Sequence, residues 1–279
     1  MAGPQAALGM LGPPAPRWLG MVARLVSVLV VTLVGVWVGK DLGGVALAPV
    51  PKEGGTNDTN QLFNWHPVLM TLAFAVFMSE ALLAYASPLL SSWSRPARKR
   101  VHYLCHGAAG VCAAFGLVAV FQSHNLKLPT PMANLYSAHS YLGLMAVCLF
   151  AAQFGFGLVA YLYPQLSLQY RQALGPVHRF GGMAVWGLGL AAMATGFVEK
   201  TTFLQMGMKI GGDALYSEIM RIPAVVLLLL GVLAVVVLYH QVPTASAPQL
   251  LGGGMGSDGT SPGHGHDEGQ NLLNHGSHA

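Results

Sequence analysis

The sequence predicts an all-α membrane protein, a bundle of six transmembrane helices. Two observations carry that reading. The 279 residues are 53% hydrophobic and only 9% charged, whereas a soluble domain carries about 25% charged residues. Six apolar stretches also reach the roughly 20 residues of helix that a hydrocarbon core of about 30 Å demands. The mean hydropathy of +0.53 agrees.

The stretches lie near residues 18–39, 62–85, 101–120, 138–162, 178–197 and 222–240. Each must satisfy its own backbone hydrogen bonds in lipid, which leaves helix as the element. A second reading exists for the first stretch: with Arg24 as the basic flank and Ala46-Leu47-Ala48 as a cleavage site, it resembles a signal peptide. The distance to Ala48 is long for a signal and the apolar run suffices to span, so a retained helix is preferred. Short connections place consecutive helices side by side, and no soluble domain fits between them. Residues 1–16 are rich in Pro, Gly and Ala, and 241–279 are Gly-, Ser- and His-rich, with His264, His266, His275 and His278. Both ends read as disordered flanks of a 17–240 bundle, because neither has apolar residues enough to bury a core. The tail histidines are read as part of a flexible segment, weak metal binding being the alternative.

Charge sets the orientation. Arg95, Arg98, Lys99 and Arg100 follow the second helix without an acid, Arg171 follows the fourth and Arg17 precedes the first. The other side mixes Lys40, Lys52, Lys127, Lys200 and Lys209 with Asp41, Glu53, Asp58, Glu199 and Asp213. Both ends and the second and fourth loops are therefore expected in the cytoplasm. An Asn57-Asp58-Thr59 glycosylation sequon falls on the opposite side, in agreement. The net charge of +4 is modest, and the basic residues lie between apolar runs, so the partner is a lipid bilayer and not nucleic acid. Cys105, Cys112 and Cys148 sit inside apolar stretches, which excludes a disulfide framework or a CxxC site and suggests packing.

Ionisable residues inside the membrane are rare and usually functional. His66, His102, His139 and His178 each lie within about two turns of the start of a different apolar helix. Helices two and four enter from the non-cytoplasmic side, so His66 and His139 share one depth. Helices three and five enter from the cytoplasm, so His102 and His178 share the other. Two imidazoles at equal depth clamp a flat ligand, and an iron porphyrin is the obvious candidate. Zinc or copper also suits imidazole, but two ligands would leave either incompletely coordinated in lipid. Helix bundles are known to hold cofactors between facing helices. The plainer alternative leaves each histidine hydrogen-bonded within the bundle. One turn in from each face puts the two irons on the order of 20 Å apart. With both axial positions filled, such centres carry electrons and do not bind oxygen.

At these residues the chain resembles the cytochrome b561 family of transmembrane ascorbate-dependent oxidoreductases. The matching strings are FNWHPVLM around His66, KRVH ending at His102, GLVAVFQSHN ending at Asn125, NLYSAHS around His139 and GPVH ending at His178. The resemblance covers about residues 15–240 and implies two hemes b, one held by His66 and His139 on the non-cytoplasmic side, the other by His102 and His178. It implies cytosolic ascorbate as donor, held by Arg95, Lys99 and Arg171, and monodehydroascorbate or a ferric chelate as acceptor across the membrane. A cationic rim attracts the ascorbate monoanion, although the same charges also serve as a topology signal. Phe121, His124 and Asn125 match the family's outer substrate-contact string; Asn134, Leu135, Tyr136 and Ser137 match its heme-lining stretch; Glu199 matches an acid near the outer heme. An ordinary loop histidine at 124 and an exposed loop acid at 199 are the alternatives. Ala86 stands where many members have arginine, and Arg95 where others have lysine. His106, one turn beyond His102, reads as packing or hydrogen bonding, and His240 as an interface residue. Members occupy vesicle, vacuole, endosome or plasma membranes, and homodimers occur among them. Two rivals stand beside this reading: a heme-free metal or proton transporter using a histidine relay, and a scaffold that keeps heme for stability only.

Overall fold

In the computed structural model, residues 15–242 are described. Most of the expected disordered ends, and all four tail histidines, lie outside the described residues. Six helices are long and apolar enough to cross a membrane: α1 Arg17–Asp41, α2 Asn60–Ala86, α3 Arg95–Asn125, α4 Ala138–Leu162, α5 Leu168–Gly207 and α6 Glu218–His240.

Two helices overrun their hydropathy bounds. α3 starts at Arg95, six residues before the apolar stretch, because Ser94 Oγ accepts from the Ala97 amide at 3.3 Å and Pro96 suits a first turn. α5 runs for 40 residues and contains Pro176; at about 60 Å it projects beyond a 30 Å hydrocarbon core. Charged turns that read as loops from hydropathy alone are therefore helical, and they hold Lys99, Arg171, Glu199 and Lys200 in fixed positions.

The first loop is built rather than slack. β1 Val50–Lys52 pairs antiparallel with β2 Thr56–Asp58, turning through Gly54 and Gly55 at φ 73° and 70°, where only glycine is unstrained. The hairpin turns the sequon asparagine inward. Asn57 is buried, its Nδ2 donates to the Leu126 carbonyl at 2.7 Å, and its Oδ1 accepts from the Leu128 amide at 3.0 Å. Those bonds tie the first loop to the loop after α3.

α1 packs between α6 and α2, α2 packs on α3, and α4 on α5, while α3 and α4 barely touch. Ala23, Val26, Val30 and Val34 form the buried stripe of α1. Polar bonds reinforce it: Arg24 pairs with Glu80 at 2.8 Å, and Ser27 Oγ donates to the Ala75 carbonyl. The first helix thus packs along the bundle through apolar and polar contacts alike.

Residues Leu72–Met78 of α2 are π-helical, which releases carbonyls from the regular ladder. The fully buried Trp186 takes one, its indole N–H donating to the Phe74 carbonyl at 3.0 Å. Gly189 permits the approach, since a Cβ there would fall 2.1 Å from Phe74 Cδ1. Gly189→Ala is therefore expected to overpack the bundle centre at a cost of about 1–3 kcal/mol and to lower the thermal midpoint in detergent. Phe74→Leu in the same chain should recover part of the loss.

Candidate cofactor-binding sites

The four membrane histidines meet in two couples, one near each end of the bundle. His66 on α2 faces His139 on α4 with ring centres 6.0 Å apart and planes at 80°. His102 on α3 faces His178 on α5 at 6.2 Å and 71°.

Each ring is held by the helix next to its own. His66 Nδ1 lies 3.0 Å from the Gly116 carbonyl on α3, and His102 Nδ1 lies 2.8 Å from the Ala81 carbonyl on α2. His139 Nδ1 lies 2.9 Å from the Ala192 carbonyl on α5, while His178 Nδ1 meets the side chain of Gln153 on α4. A carbonyl only accepts, so at three of the four rings the proton sits on Nδ1 and the Nε2 lone pair stays available to a metal.

The spacing fits a shared axial ion. A metal–imidazole bond of about 2.0 Å and a ring nitrogen about 1.1 Å from its centre put the centres of two opposed imidazoles roughly 6.2 Å apart. Both couples lie close to that value. Among the described residues no three His, Cys, Asp or Glu side chains converge on a bare metal ion. The donor set therefore suits an ion that arrives with its equatorial ligands, as in heme.

Beside the outer couple lies a cavity of about 410 Å³ whose lining includes Met70, Phe74, Val147, Met193 and Phe197. Its mouth carries Phe121, His124, Asn134, Leu135, Tyr136 and Glu199. Asn125 stands behind, accepting from Asn134 Nδ2 at 2.8 Å, while His124 Nδ1 lies 3.1 Å from Asn134 Oδ1. Ser137 is placed differently: its hydroxyl caps α4, accepting from the Ser140 amide at 3.1 Å. Hydropathy gave no hint of Trp37, Phe63 or Lys200 in this lining. Lys200 Nζ lies 4.5 Å from the Phe63 ring centre, a cation–π contact at the rim.

At the other end of the bundle, beside His102 and His178, Lys99 Nζ donates to the Tyr161 carbonyl at 2.6 Å, and Tyr161 OH donates to the Arg171 carbonyl at 3.3 Å. The Tyr161 ring lies 5.0 Å from His178, so Tyr161, which the sequence did not single out, joins the basic rim to the inner couple. Arg98 Nε and Arg171 Nε are buried without a hydrogen-bond partner. Arg95 stands exposed at the start of α3, one turn before Lys99. His106 packs edge-on against His102 at 4.6 Å with its Nδ1 unpartnered. It is a neighbour of the inner couple rather than the facing member of it.

The model of the eukaryotic cytochrome b561 family matches residues 65–204. Transmembrane ascorbate ferrireductase 2 of Arabidopsis thaliana is 32% identical over 231 residues, covering 83% of this chain and 94% of that protein. A probable ascorbate-specific transmembrane electron transporter of Oryza sativa subsp. japonica is 38% identical over 184 residues, 66% of this chain and 74% of its own. A human lysosomal membrane ascorbate-dependent ferrireductase is 42% identical over 149 residues, 53% of this chain and 60% of its own.

Glycines make room for the rings: a Cβ at Gly196 would fall 2.7 Å from His139 Cε1, and one at Gly157 would fall 3.2 Å from His178 Cε1. Gly196→Ala is expected to displace His139 and abolish hemin binding at the outer couple. Gly157→Ala should weaken hemin binding at the inner couple only modestly, and spectral hemin titration of the two purified variants checks the difference.

Proposed function

The chain belongs to the eukaryotic cytochrome b561 family, and from that premise we propose that it is a transmembrane ascorbate-dependent reductase. Electrons pass from cytosolic ascorbate through two bis-histidine hemes b to monodehydroascorbate or ferric iron on the non-cytoplasmic side. Heme of the b type comes with the family. The number of hemes rests on one observation above all, the two level imidazole couples at 6.0 and 6.2 Å.

His66 and His139 would hold the outer heme and His102 and His178 the inner one; bound there, heme would supply one-electron redox chemistry. The chain's own task is to bind, orient and exclude water. Lys99 and Arg171, with Arg95 one turn out, draw the ascorbate monoanion to the cytoplasmic rim. At the other face, His124, Asn134 and Asn125 form a hydrogen-bonded chain beside Phe121, suited to an oxygen-rich acceptor. Asn134, Leu135, Tyr136 and Glu199 line the outer heme's cavity, and Ser137 fixes the start of α4 beneath them. Product chemistry needs only electron delivery, so no nucleophile is required.

The functional unit is the 17–240 bundle, flanked by cytoplasmic ends, in an endomembrane or the plasma membrane. The human relative's lysosomal membrane name supports an endomembrane. A heme-free relay for metal ions is disfavoured, because each couple offers an ion only two ligands in lipid.

Ascorbate-loaded sealed vesicles carrying the protein should reduce external monodehydroascorbate or ferric citrate, and empty vesicles should not. His66→Ala and His139→Ala are expected to remove one and the same heme from the reduced-minus-oxidised spectrum, and His102→Ala and His178→Ala the other. Loss of one shared heme in His66→Ala and His102→Ala contradicts the assignment.

A further inference from the structure

Three of the four membrane histidines rest Nδ1 on a backbone carbonyl, a partner that cannot change role. His178 differs. Its Nδ1 faces the side-chain amide of Gln153, whose Nε2 lies 2.9 Å away and also donates to the His178 carbonyl at 2.6 Å. A side-chain amide carries a donor on one side and an acceptor on the other, and a half-turn about its last torsion exchanges them. Gln153 therefore suits either tautomer: its nitrogen meets a bare Nδ1, its oxygen a protonated one.

The amide occupies a built seat. A Cβ at Gly181 would fall 3.0 Å from Gln153 Oε1 and 3.3 Å from Cδ, and one at Gly182 would fall 3.7 Å from Nε2. Two successive glycines on α5, one turn past His178, leave the space that Gln153 fills. Leu149, Phe156, Val185 and Leu188 surround it on the outer side of the α4–α5 groove. A polar group placed among such neighbours is costly unless bonded, and its bonds go to His178.

We propose that Gln153 is the positioning residue of the cytoplasmic-side heme, selecting the tautomer of His178 and thereby setting how strongly that imidazole donates to iron. The inference rests on the two-heme reading above. Ligation through Nε2 places the proton on Nδ1, so it calls for the oxygen of Gln153. An accepting partner at that position raises the basicity of the ligand and favours ferric over ferrous iron. Turning the amide forfeits its donation to the His178 carbonyl. The acceptor at His178 is consequently weaker than the fixed carbonyls behind the other three rings, and the inner heme is the one open to tuning by a single side chain.

The test is an optical redox titration of the full-length, heme-loaded protein carrying Gln153→Met, which keeps the reach without hydrogen bonding, or Gln153→Glu, which offers oxygen on both sides. The cytoplasmic-side heme is identified as the spectral component that His102→Ala removes. Gln153→Met should raise the midpoint of that component and Gln153→Glu should lower it. Each shift is on the order of tenfold in the ferric/ferrous equilibrium, about 59 mV for one electron, with the outer component unmoved. Two intact hemes with neither midpoint displaced overturn the proposal, and so does a common displacement of both components. A wild-type protein that never shows a second component defeats the two-heme reading, and this inference with it.

Discussion

An imidazole in hydrocarbon must bond one nitrogen or bear the cost of an orphaned polar group, and that requirement organises this bundle. His66, His102 and His139 commit Nδ1 to a carbonyl of the adjacent helix, and the commitment leaves each Nε2 lone pair free. The same bonds join the helices in pairs. α2 and α3 exchange them reciprocally through His66 and His102, while α4 directs both of its bonds, from His139 and Gln153, to α5. α3 and α4 make little direct contact, and the two helix pairs meet through the histidine couples and through Phe74 of α2 against Trp186 and Gly189 of α5.

Small residues and one irregular stretch make this approach feasible. Gly196 and Gly157 clear space beside His139 and His178, and Gly189 admits Phe74 between the couples. The π-helical turn at Leu72–Met78 frees the carbonyls that Trp186 and Ser27 bond, so the middle of the bundle is pinned by polar bonds in a region where lipid offers none. α1 and α6 buttress this centre from one side. Trp37 illustrates their role: its indole bonds the Ile219 carbonyl on α6, and its ring lies 5.8 Å from Phe197 beside the outer cavity.

Much of this was legible in the sequence, for identifiable reasons. Spans follow from apolar length, and alternating direction then fixes which histidines are level, so the couples 66–139 and 102–178 could be paired before any coordinates. Features that depend on capping or on contacts across helices were hidden. Ser94 and Pro96 extend α3 through a basic run that hydropathy assigns to a loop. The hairpin at 50–58 turns Asn57 inward, onto the Leu126 carbonyl. Tyr161, Lys200 and Gln153 acquire meaning only from neighbours 10 or more positions away or from a cavity, and no periodicity announces them. Among the matched outer-face residues, Ser137 serves the helix start while Asn134 serves the cavity; a string match alone does not separate the two.

The central claim is that each couple seats its own heme, and the ratio of heme to polypeptide tests it most directly. Purified protein expressed with ample heme, assayed as pyridine hemochrome against quantitative amino-acid analysis, should give two hemes b per chain, both low-spin by electron paramagnetic resonance. A ratio of one or less, or a high-spin signal showing an unfilled axial position, contradicts the account.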